Sequence, residues 1–178
     1  RIGEELALRA EPVREVETIY LGGGTPSRLG APGVAALLEA VRAHCRPVAG
    51  AEVTLEANPE DVSPEAARGW VAAGVTRVSL GVQSFDDRAV RTLRDAGLAD
   101  LSVDLIFAVP RALERDWARD LDAALALDPT HVSLYGLTVE AGTPLGRWTA
   151  RGEAQEAPEE SYEAEFLAAH SAFTAAGF

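Results

Sequence analysis

Apolar residues along the chain follow two spacings that alternate with each other. Short runs rich in Val, Leu, Ile and Ser predict buried strands of a parallel sheet. These runs are residues 18–21, 52–55, 77–82, 101–107 and 131–137. Between the runs, apolar residues recur at helical spacing, as in Val34, Leu37, Leu38 and Val41. Repeated strand–helix units with short links imply right-handed crossovers, so the pattern predicts an α/β protein with a parallel sheet.

Several helix ends can be read from single residues. Ser63 followed by Pro64 predicts an N-cap and a first helical residue, and Gly74 is suited to follow the end of that helix. The last helix is predicted to end at Gly177. The stretch 144–158 is rich in Gly, Arg and Glu and is predicted to be a loop.

A weak internal repeat supports the strand–helix pattern. Residues 72–82 (AAGVTRVSLGV) are similar to residues 95–105 (DAGLADLSVDL), and each copy contains a helix end, a glycine, a short link and a strand. Five such units without a dinucleotide-binding fingerprint favour a (β/α) barrel or an open part of one. A doubly wound sheet is the second interpretation.

The sequence YLGGGTPS, residues 20–27, is the most unusual stretch of the chain. An apolar run ends in Gly22, Gly23 and Gly24, and glycine allows positive φ and close approach of a ligand to the backbone. The stretch is neither GxGxxG nor a Walker loop, because no Gly-Lys-Ser/Thr follows. Two interpretations remain open from these residues, a flexible turn and a ligand site.

Polar residues follow the first three predicted strands, and others lie on the fourth strand and on or after the fifth. In parallel α/β folds the ligand site lies at the carboxyl ends of the strands, so these residues are the candidate site. Each of them alone has a structural explanation, such as capping a helix or satisfying loop backbone. Together they favour a small-molecule pocket. They are Gly22–Thr25, Glu56, Asn58, Gln83, Ser84, Asp104, Tyr135 and Thr138.

Charge and cysteine content exclude several classes of function. The 178 residues carry 28 acidic and 16 basic side chains, a net charge of −12, which argues against nucleic-acid binding and allows at most peripheral contact with a membrane. The single cysteine, Cys45, excludes a disulfide framework and an all-cysteine metal site within the chain. With no signal peptide and no apolar run of membrane-spanning length, we expect a cytoplasmic protein. The sequence contains no methionine, so we also expect a fragment of a longer chain.

Five ordered motifs resemble one known family. YLGGGTPS, TLEANPED, RVSLGVQSFDD, SVDLIFAVP and HVSLYGLTVEAGTPL are similar to the core of radical S-adenosylmethionine (SAM) proteins of the oxygen-independent coproporphyrinogen III oxidase-like family. Within that family they look most like the heme-chaperone (HemW-type) branch. The resemblance implies a partial (β/α)6-type TIM-like barrel of parallel strands with outer helices. It also implies that residues 1–178 are a radical SAM core domain, without the cluster-binding part and the C-terminal domain.

The resemblance implies a cofactor role for seven residues. Gly23, Gly24 and Thr25 would receive the amino and carboxyl end of SAM. Glu56, Gln83 and Asp104 would contact the rest of the cofactor, with Asp104 at the ribose hydroxyls. Thr138 would line the adenosine side. No catalytic residue and no metal ligand are assigned.

Three departures from the family pattern limit the resemblance. The CxxxCxxC loop, whose three thiolates hold a [4Fe–4S] cluster, is absent, and Cys45 does not replace it. The passage 85–97 is shorter than in the family, which suggests a gap near Leu93 and Arg94. The chain also ends at AAGF, where the family continues.

The resemblance leaves three functions open. The first is a heme chaperone that binds heme and hands it to an acceptor protein. The second is an enzyme, an oxygen-independent coproporphyrinogen III oxidase, in which a 5′-deoxyadenosyl radical abstracts hydrogen from two propionate side chains before carboxylate loss leaves vinyl groups. The third is a (β/α) domain that binds a nucleoside or nothing.

Overall fold

The chain folds as alternating strands and helices in a computed structural model that describes residues 2–9, 14–81 and 87–178. The strands are β1 (Arg14–Leu21), β2 (Cys45–Ala57), β3 (Arg77–Gly81), β4 (Asp100–Phe107) and β5 (His131–Gly136). The helices are α1 (Ile2–Arg9), α2 (Gly30–Arg42), α3 (Pro64–Ala73), α4 (Asp87–Asp95), α5 (Trp117–Ala126), α6 (Pro144–Ala150) and α7 (Glu159–Ala175). This order confirms the predicted α/β class.

The strands form one sheet in chain order, from β1 to β5. β1 pairs with β2 in parallel, with Leu21 opposite Leu55, and β2 pairs with β3 in parallel, with Leu55 opposite Val78. The register between β1 and β2 shifts between Val16 and Thr18. Parallel neighbours place their carboxyl ends at the same edge, which is where ligands bind in such folds.

β4 shows how the sequence pattern sets the faces of a strand. Its odd-numbered residues, which include Val103, Leu105 and Phe107, are buried. Ile106, on the alternate face, is 46% exposed, and Asp104 on the same face is half-buried. Because successive side chains of a strand point to opposite faces, one face of β4 contributes to the core and the other carries the candidate carboxylate.

The chain divides into two compact units, residues 1–102 and 103–178. The first unit buries Leu38, Leu55 and Trp70, and Trp70 has no exposed surface. The second unit buries Leu105, Phe107, Leu121 and Phe173 among others. A single core domain over residues 1–178 stays a prediction.

Two predicted helix ends of α3 are confirmed. The Ser63 side chain accepts a hydrogen bond from the Ala66 N–H, and Gly74 has a φ of 95° at the other end. In α2 the predicted core positions Val34 and Leu38 are fully buried. Within the described part of the chain, no helix is both long and apolar enough to cross a membrane.

Other predicted boundaries were wrong. The stretch predicted as a loop contains α6, which begins after Thr143, whose side chain accepts a hydrogen bond from the Gly146 N–H. The sequence does not indicate this helix and its N-cap, because the surrounding Gly and Arg residues are typical of loops. β1 and β2 begin earlier than predicted, at Arg14 and Cys45. The first half of β2 was not predicted because Pro47 and Gly50 interrupt its apolar pattern.

Candidate functional site

The glycine turn that follows β1 exposes its backbone. Gly23, Gly24 and Thr25 have φ values of 78°, 65° and 58°, three successive residues in the left-handed region. A Cβ built on Gly23 or Gly24 would meet no atom within 4 Å, so the space beside both residues is open. Thr25 is β-branched, and such residues rarely adopt this conformation away from functional sites. The turn is therefore an accessible backbone surface held in a strained conformation.

Glu56, near the end of β2, binds this turn directly. Its Oε2 accepts the Gly23 N–H at 2.9 Å and its Oε1 accepts the Tyr20 hydroxyl at 2.7 Å. A Cβ on Gly22 would lie 2.5 Å from the Tyr20 ring and 2.8 Å from Glu56 Oε1. Position 22 must therefore be glycine for the Tyr20–Glu56 pair to close over the turn.

Ser27 joins the same turn to the loop that follows β2. The buried Ser27 hydroxyl donates to Asp61 Oδ2 at 2.7 Å and accepts the Asn58 N–H at 3.2 Å. Both motifs, GGGTPS and LEANPED, are thus tied together by hydrogen bonds at each end of the glycine turn. The sequence indicated two polar strand ends but did not indicate which atoms join them.

A cavity of about 480 Å³ lies beside the glycine turn within the first unit. Gly22–Thr25 and Tyr20 form its polar wall, and Leu6 and Leu37 are among its apolar residues. An apolar cavity with a few convergent polar groups is the usual form of a small-molecule site.

The second unit holds Asp104 and Thr138. Asp104 lies on β4, and Thr138 follows β5 and is exposed. Thr138 lines a cavity of about 420 Å³, whose other walls include Ala108, Leu137, Glu159 and Tyr162. This cavity lies beside the residues that follow β4 and β5, and its role as a ligand site stays a prediction.

The end of β4 contains a functional candidate that the sequence did not indicate. Ala108 has a φ of 57° and is 3% exposed. Its N–H donates to Glu165 Oε2 on α7 at 2.7 Å. No sequence signal marks this residue, because alanine gives no sign of a left-handed conformation.

Potential metal ligands are dispersed in the described residues, where no group of three or more His, Cys, Asp or Glu side chains could hold a metal ion. The thiol of Cys45 is half-buried and donates to the Val41 carbonyl at 3.4 Å. Outside the two cavities described above, the hydrogen bond from Arg151 lowers the pKa of the Glu153 carboxyl. This pair is exposed and lies in the loop before α7.

Most of the chain matches one protein family. The model of the radical SAM superfamily matches residues 2–124, more than half of the 178 residues. The chain belongs to the radical SAM superfamily. The glycine turn, Glu56 and Asp104 all lie within the matched residues of this radical SAM chain.

Individual relatives give a more detailed comparison. The radical SAM chain is 39% identical to the heme chaperone HemW of Mycobacterium tuberculosis over 97% of its own length and 50% of that protein. It is 38% identical to the Escherichia coli heme chaperone HemW, over 75% of this chain and 39% of that protein. It is 40% identical to the mitochondrial radical S-adenosyl methionine domain-containing protein 1 of Bos taurus, over 92% of this chain and 40% of that protein. The chain therefore spans half or less of the length of these relatives.

Solved structures confirm the fold. Coproporphyrinogen III oxidase (HemN) from Escherichia coli, a radical SAM enzyme, superposes with a TM-score of 0.75 at 21% identity, covering 98% of this chain and 43% of that one. The archaeal Elp3 of Methanocaldococcus infernus superposes with a TM-score of 0.63 at 21% identity, covering 95% of this chain and 47% of that one. The radical SAM chain thus has the α/β fold of a partial TIM-like barrel, with parallel strands and helices.

Membership of the superfamily implies SAM and a [4Fe–4S] cluster as cofactors. The residues of this chain are suited to the first of these and not to the second. The open backbone at Gly23 and Gly24 could receive the amino-acid end of SAM, since a Cβ there would meet nothing. The cluster needs several thiolates, and this radical SAM chain has one cysteine. The chain's own residues therefore fit SAM and do not hold the cluster.

The predicted site residues fall into three groups. Gly23 and Glu56 are brought into direct contact in the first unit, and Gly24 and Thr25 continue the same turn. Asp104 and Thr138 lie in the second unit. Gln83 lies outside the described residues, as does Ser84. The roles of all seven residues toward SAM stay predictions.

Proposed function

We propose that this chain is the SAM-binding core of a heme chaperone, a protein that binds heme and transfers it to acceptor proteins. The observation that carries the proposal is the 39% identity to a heme chaperone HemW over 97% of the chain. Similar relatives with the same name occur in Synechocystis and Bacillus subtilis, at 30% and 31% identity.

The first unit would bind the amino-acid end of SAM. Apart from the Gly23 N–H, which Glu56 already binds, Gly23, Gly24 and Thr25 offer backbone N–H and C=O groups without a side chain at two of the three positions. Such groups suit an ammonium and a carboxylate at once. The predicted role of Glu56 is a polar contact with the rest of the cofactor. Its carboxylate already accepts the Gly23 N–H, and each carboxylate oxygen keeps a further lone pair for such a contact.

The second unit would bind the nucleoside. We infer that Asp104 accepts hydrogen bonds from the ribose hydroxyls, because a carboxylate can accept from both of them. Thr138 would line the adenosine side, and the cavity of about 420 Å³ that it borders supports this role. Gln83 would contribute a further polar contact.

SAM supplies radical chemistry only beside a [4Fe–4S] cluster, and no step of that chemistry is assigned to residues of this chain. Its histidines are His44, in the turn between α2 and β2, His131 on β5 and His170 on α7, and the His44 ring is hydrogen-bonded to the Ala40 carbonyl. No heme ligand is therefore assigned. The proposed partners are SAM, heme or a porphyrinogen, and a heme-acceptor protein, in the cytoplasm, with no nucleic acid.

The test uses the complete protein with its cluster reconstituted under anaerobic conditions. Coproporphyrinogen III, SAM and a reductant are added, and decarboxylated product is sought by mass spectrometry. Heme binding is then measured by absorbance titration. Stoichiometric heme binding without decarboxylated product supports the chaperone.

The second candidate is the coproporphyrinogen III oxidase itself. The superposition on HemN, with a TM-score of 0.75, is the reason to consider the oxidase. The identity of 21% supports a shared fold and not a shared activity. Decarboxylated product in the same experiment would establish the oxidase and overturn the chaperone proposal. Failure to bind either heme or SAM, with an intact cluster, would overturn both.

A further inference from the structure

We propose that Glu165 is a positioning residue for the nucleoside half of the cofactor site. Its carboxylate holds Ala108 in a left-handed conformation and thereby fixes the end of the strand that carries Asp104. The inference deepens the proposed function, since Asp104 and Thr138 matter only if SAM binds there. It concerns residues of the second unit alone.

Ala108 is in a conformation that needs an external partner. Residues with a Cβ seldom adopt a positive φ, and Ala108 has a φ of 57° while almost completely buried. A buried N–H without an acceptor is unfavourable, and Glu165 Oε2 supplies that acceptor at 2.7 Å. A hydrogen bond to an ionised carboxylate is stronger than one to a neutral acceptor, so this contact is suited to hold a strained residue.

Backbone groups of three successive residues at the end of β4 are hydrogen-bonded to three separate parts of the chain. The Ile106 carbonyl accepts from the Arg115 guanidinium, which precedes α5. The Phe107 carbonyl accepts from the Leu137 N–H at 2.9 Å, just after β5. The Ala108 N–H donates to Glu165 on α7. The carboxylate thus completes a set of contacts that fixes where β4 ends.

Glu165 is itself held in place by its surroundings. Its backbone carbonyl accepts the indole N–H of Trp117 at 2.8 Å. On either side of it along α7, the rings of Tyr162 and Phe166 pack against Phe107, with centroids 4.7 and 6.0 Å apart. The carboxylate is therefore positioned before any ligand arrives.

The same device occurs at the glycine turn of the first unit. There Glu56 accepts the N–H of Gly23, whose φ is 78°. In both places a glutamate binds the N–H of a left-handed residue one or two positions after the end of a strand. The difference lies in the residue that is held, because glycine adopts this conformation without strain and alanine does not.

Ala108 is close in sequence and space to the predicted nucleoside contacts. It lines the same cavity as Thr138, and it follows Asp104 by four residues along one strand. If Ala108 relaxed to a negative φ, the chain would change direction beside the cavity that Thr138 lines, at the end of the strand that carries Asp104. Loss of the carboxylate should therefore weaken SAM binding although Glu165 is not among the residues that line the cavity.

The experiment compares Glu165→Ala with Glu163→Ala in the complete, cluster-reconstituted protein. Glu163 is exposed on the same helix, so its replacement removes the same charge without removing the contact. Hydrogen exchange at the Ala108 amide is expected to be about tenfold faster in Glu165→Ala and unchanged in Glu163→Ala, the size expected for one charge-assisted hydrogen bond. SAM affinity, measured by calorimetry, should fall by a similar factor in Glu165→Ala only.

The additional substitution Ala108→Gly distinguishes a positioning role of Glu165 from a general effect of Glu165 on packing. Glycine adopts the left-handed conformation unaided, so Ala108→Gly in the Glu165→Ala background should restore most of the SAM affinity. Should Glu165→Ala fold poorly, Glu165→Leu, whose side chain has no acceptor atom, is used in its place, with the same rescue expected. Unchanged exchange at Ala108, or no rescue by glycine, would overturn the inference.

The two proposals fail in different ways. If the wild-type protein binds no SAM, the proposed function fails. Hydrogen exchange at Ala108 then still decides whether Glu165 holds the strand end. If SAM binds normally to every variant while exchange at Ala108 rises, the contact exists but does not position the site, and the inference is overturned alone.

Discussion

The Glu56 carboxylate accepts one hydrogen bond on each oxygen, from the Tyr20 hydroxyl and from the Gly23 N–H. Glutamine has a single acceptor oxygen and an amide NH₂, so Glu56→Gln leaves one of the two donors facing another donor. Since a hydrogen bond to a charged group contributes roughly 1.5–3 kcal/mol, we expect SAM affinity of the complete protein to fall by at least about tenfold. Calorimetry with SAM measures this fall.

Glu60→Gln is the matched control, because Glu60 is exposed in the short 3-10 helix Pro59–Asp61. We expect it to bind SAM as the wild type does, and both variants to keep their melting temperatures within a few degrees. Equal SAM affinity in Glu56→Gln and wild type would remove Glu56 from the site. Asp104→Asn should weaken SAM binding in the same assay, again with the fold retained.

Gly22 can be tested without changing any polar atom. In Gly22→Ala the new methyl group would overlap the Tyr20 ring and Glu56 Oε1, both at the ends of flexible side chains. We expect these side chains to move apart, so the free energy of unfolding falls by only about 1 kcal/mol while SAM affinity falls as in Glu56→Gln. Urea unfolding and calorimetry on one preparation check both parts.

Gly81→Ala serves as its control for stability, since a Cβ at that position would meet nothing within 4 Å. Its free energy of unfolding should change by less than about 0.5 kcal/mol. A loss in Gly81→Ala as large as in Gly22→Ala would show that the overlap at position 22 is not the cause.

The sequence identified residues at this scale without identifying their partners. Gly23 and Glu56 were both predicted as site residues, and the hydrogen bond between them depends on the register in which β1 and β2 pair. That register is a long-range property that no local pattern encodes. Glu165 was not predicted at all, because its partner is an ordinary alanine 57 residues away.

At the scale of elements, one face of β4 packs in the core and the other face carries Asp104, the candidate site residue. Leu105 is fully buried, so Leu105→Ala should lower the free energy of unfolding by about 2–5 kcal/mol. Ile106→Ala, one residue further on the exposed face, should cost less than about 1 kcal/mol. Urea unfolding of both variants measures the difference, and equal losses would contradict the described faces of this strand.

The Ser27 hydroxyl joins the loop that follows β1 to the loop that follows β2. Ser27→Ala would leave Asp61 Oδ2 and the Asn58 N–H without that partner, so we expect the free energy of unfolding to fall by about 1–3 kcal/mol. Ser171→Ala, exposed on α7, should change it by less than about 0.5 kcal/mol. Thermal unfolding monitored by circular dichroism compares the two, and equal stability would mean that water replaces the hydroxyl fully.

Prediction of elements succeeded where hydrophobic periodicity was continuous. α2 and α3 were found from apolar spacing and capping residues, which are local signals. α6 was missed because its seven residues bury no side chain, so it carries no apolar stripe. β2 was found only in part, because its first half is less buried than its second.

At the scale of the whole molecule, class and family followed from the order of the motifs. The alternation of strands and helices predicted the α/β class, and five motifs in order predicted the radical SAM superfamily. The division into two units was not predicted, because it depends on packing rather than on any change in composition. The predicted nucleoside contacts fall in one unit and the glycine turn in the other.

The buried indole of Trp70 provides an optical reporter for this division. Trp70 is the one tryptophan of residues 1–102, and Trp117 and Trp148 belong to residues 103–178. In the double variant Trp117→Phe/Trp148→Phe, fluorescence comes from the first unit alone, whereas circular dichroism follows every helix of the chain. Because β4 runs without interruption from one unit into the other, we expect both signals to change at the same urea concentration. A red shift of Trp70 emission at a different urea concentration would instead mean that the first unit unfolds as a separate cooperative body.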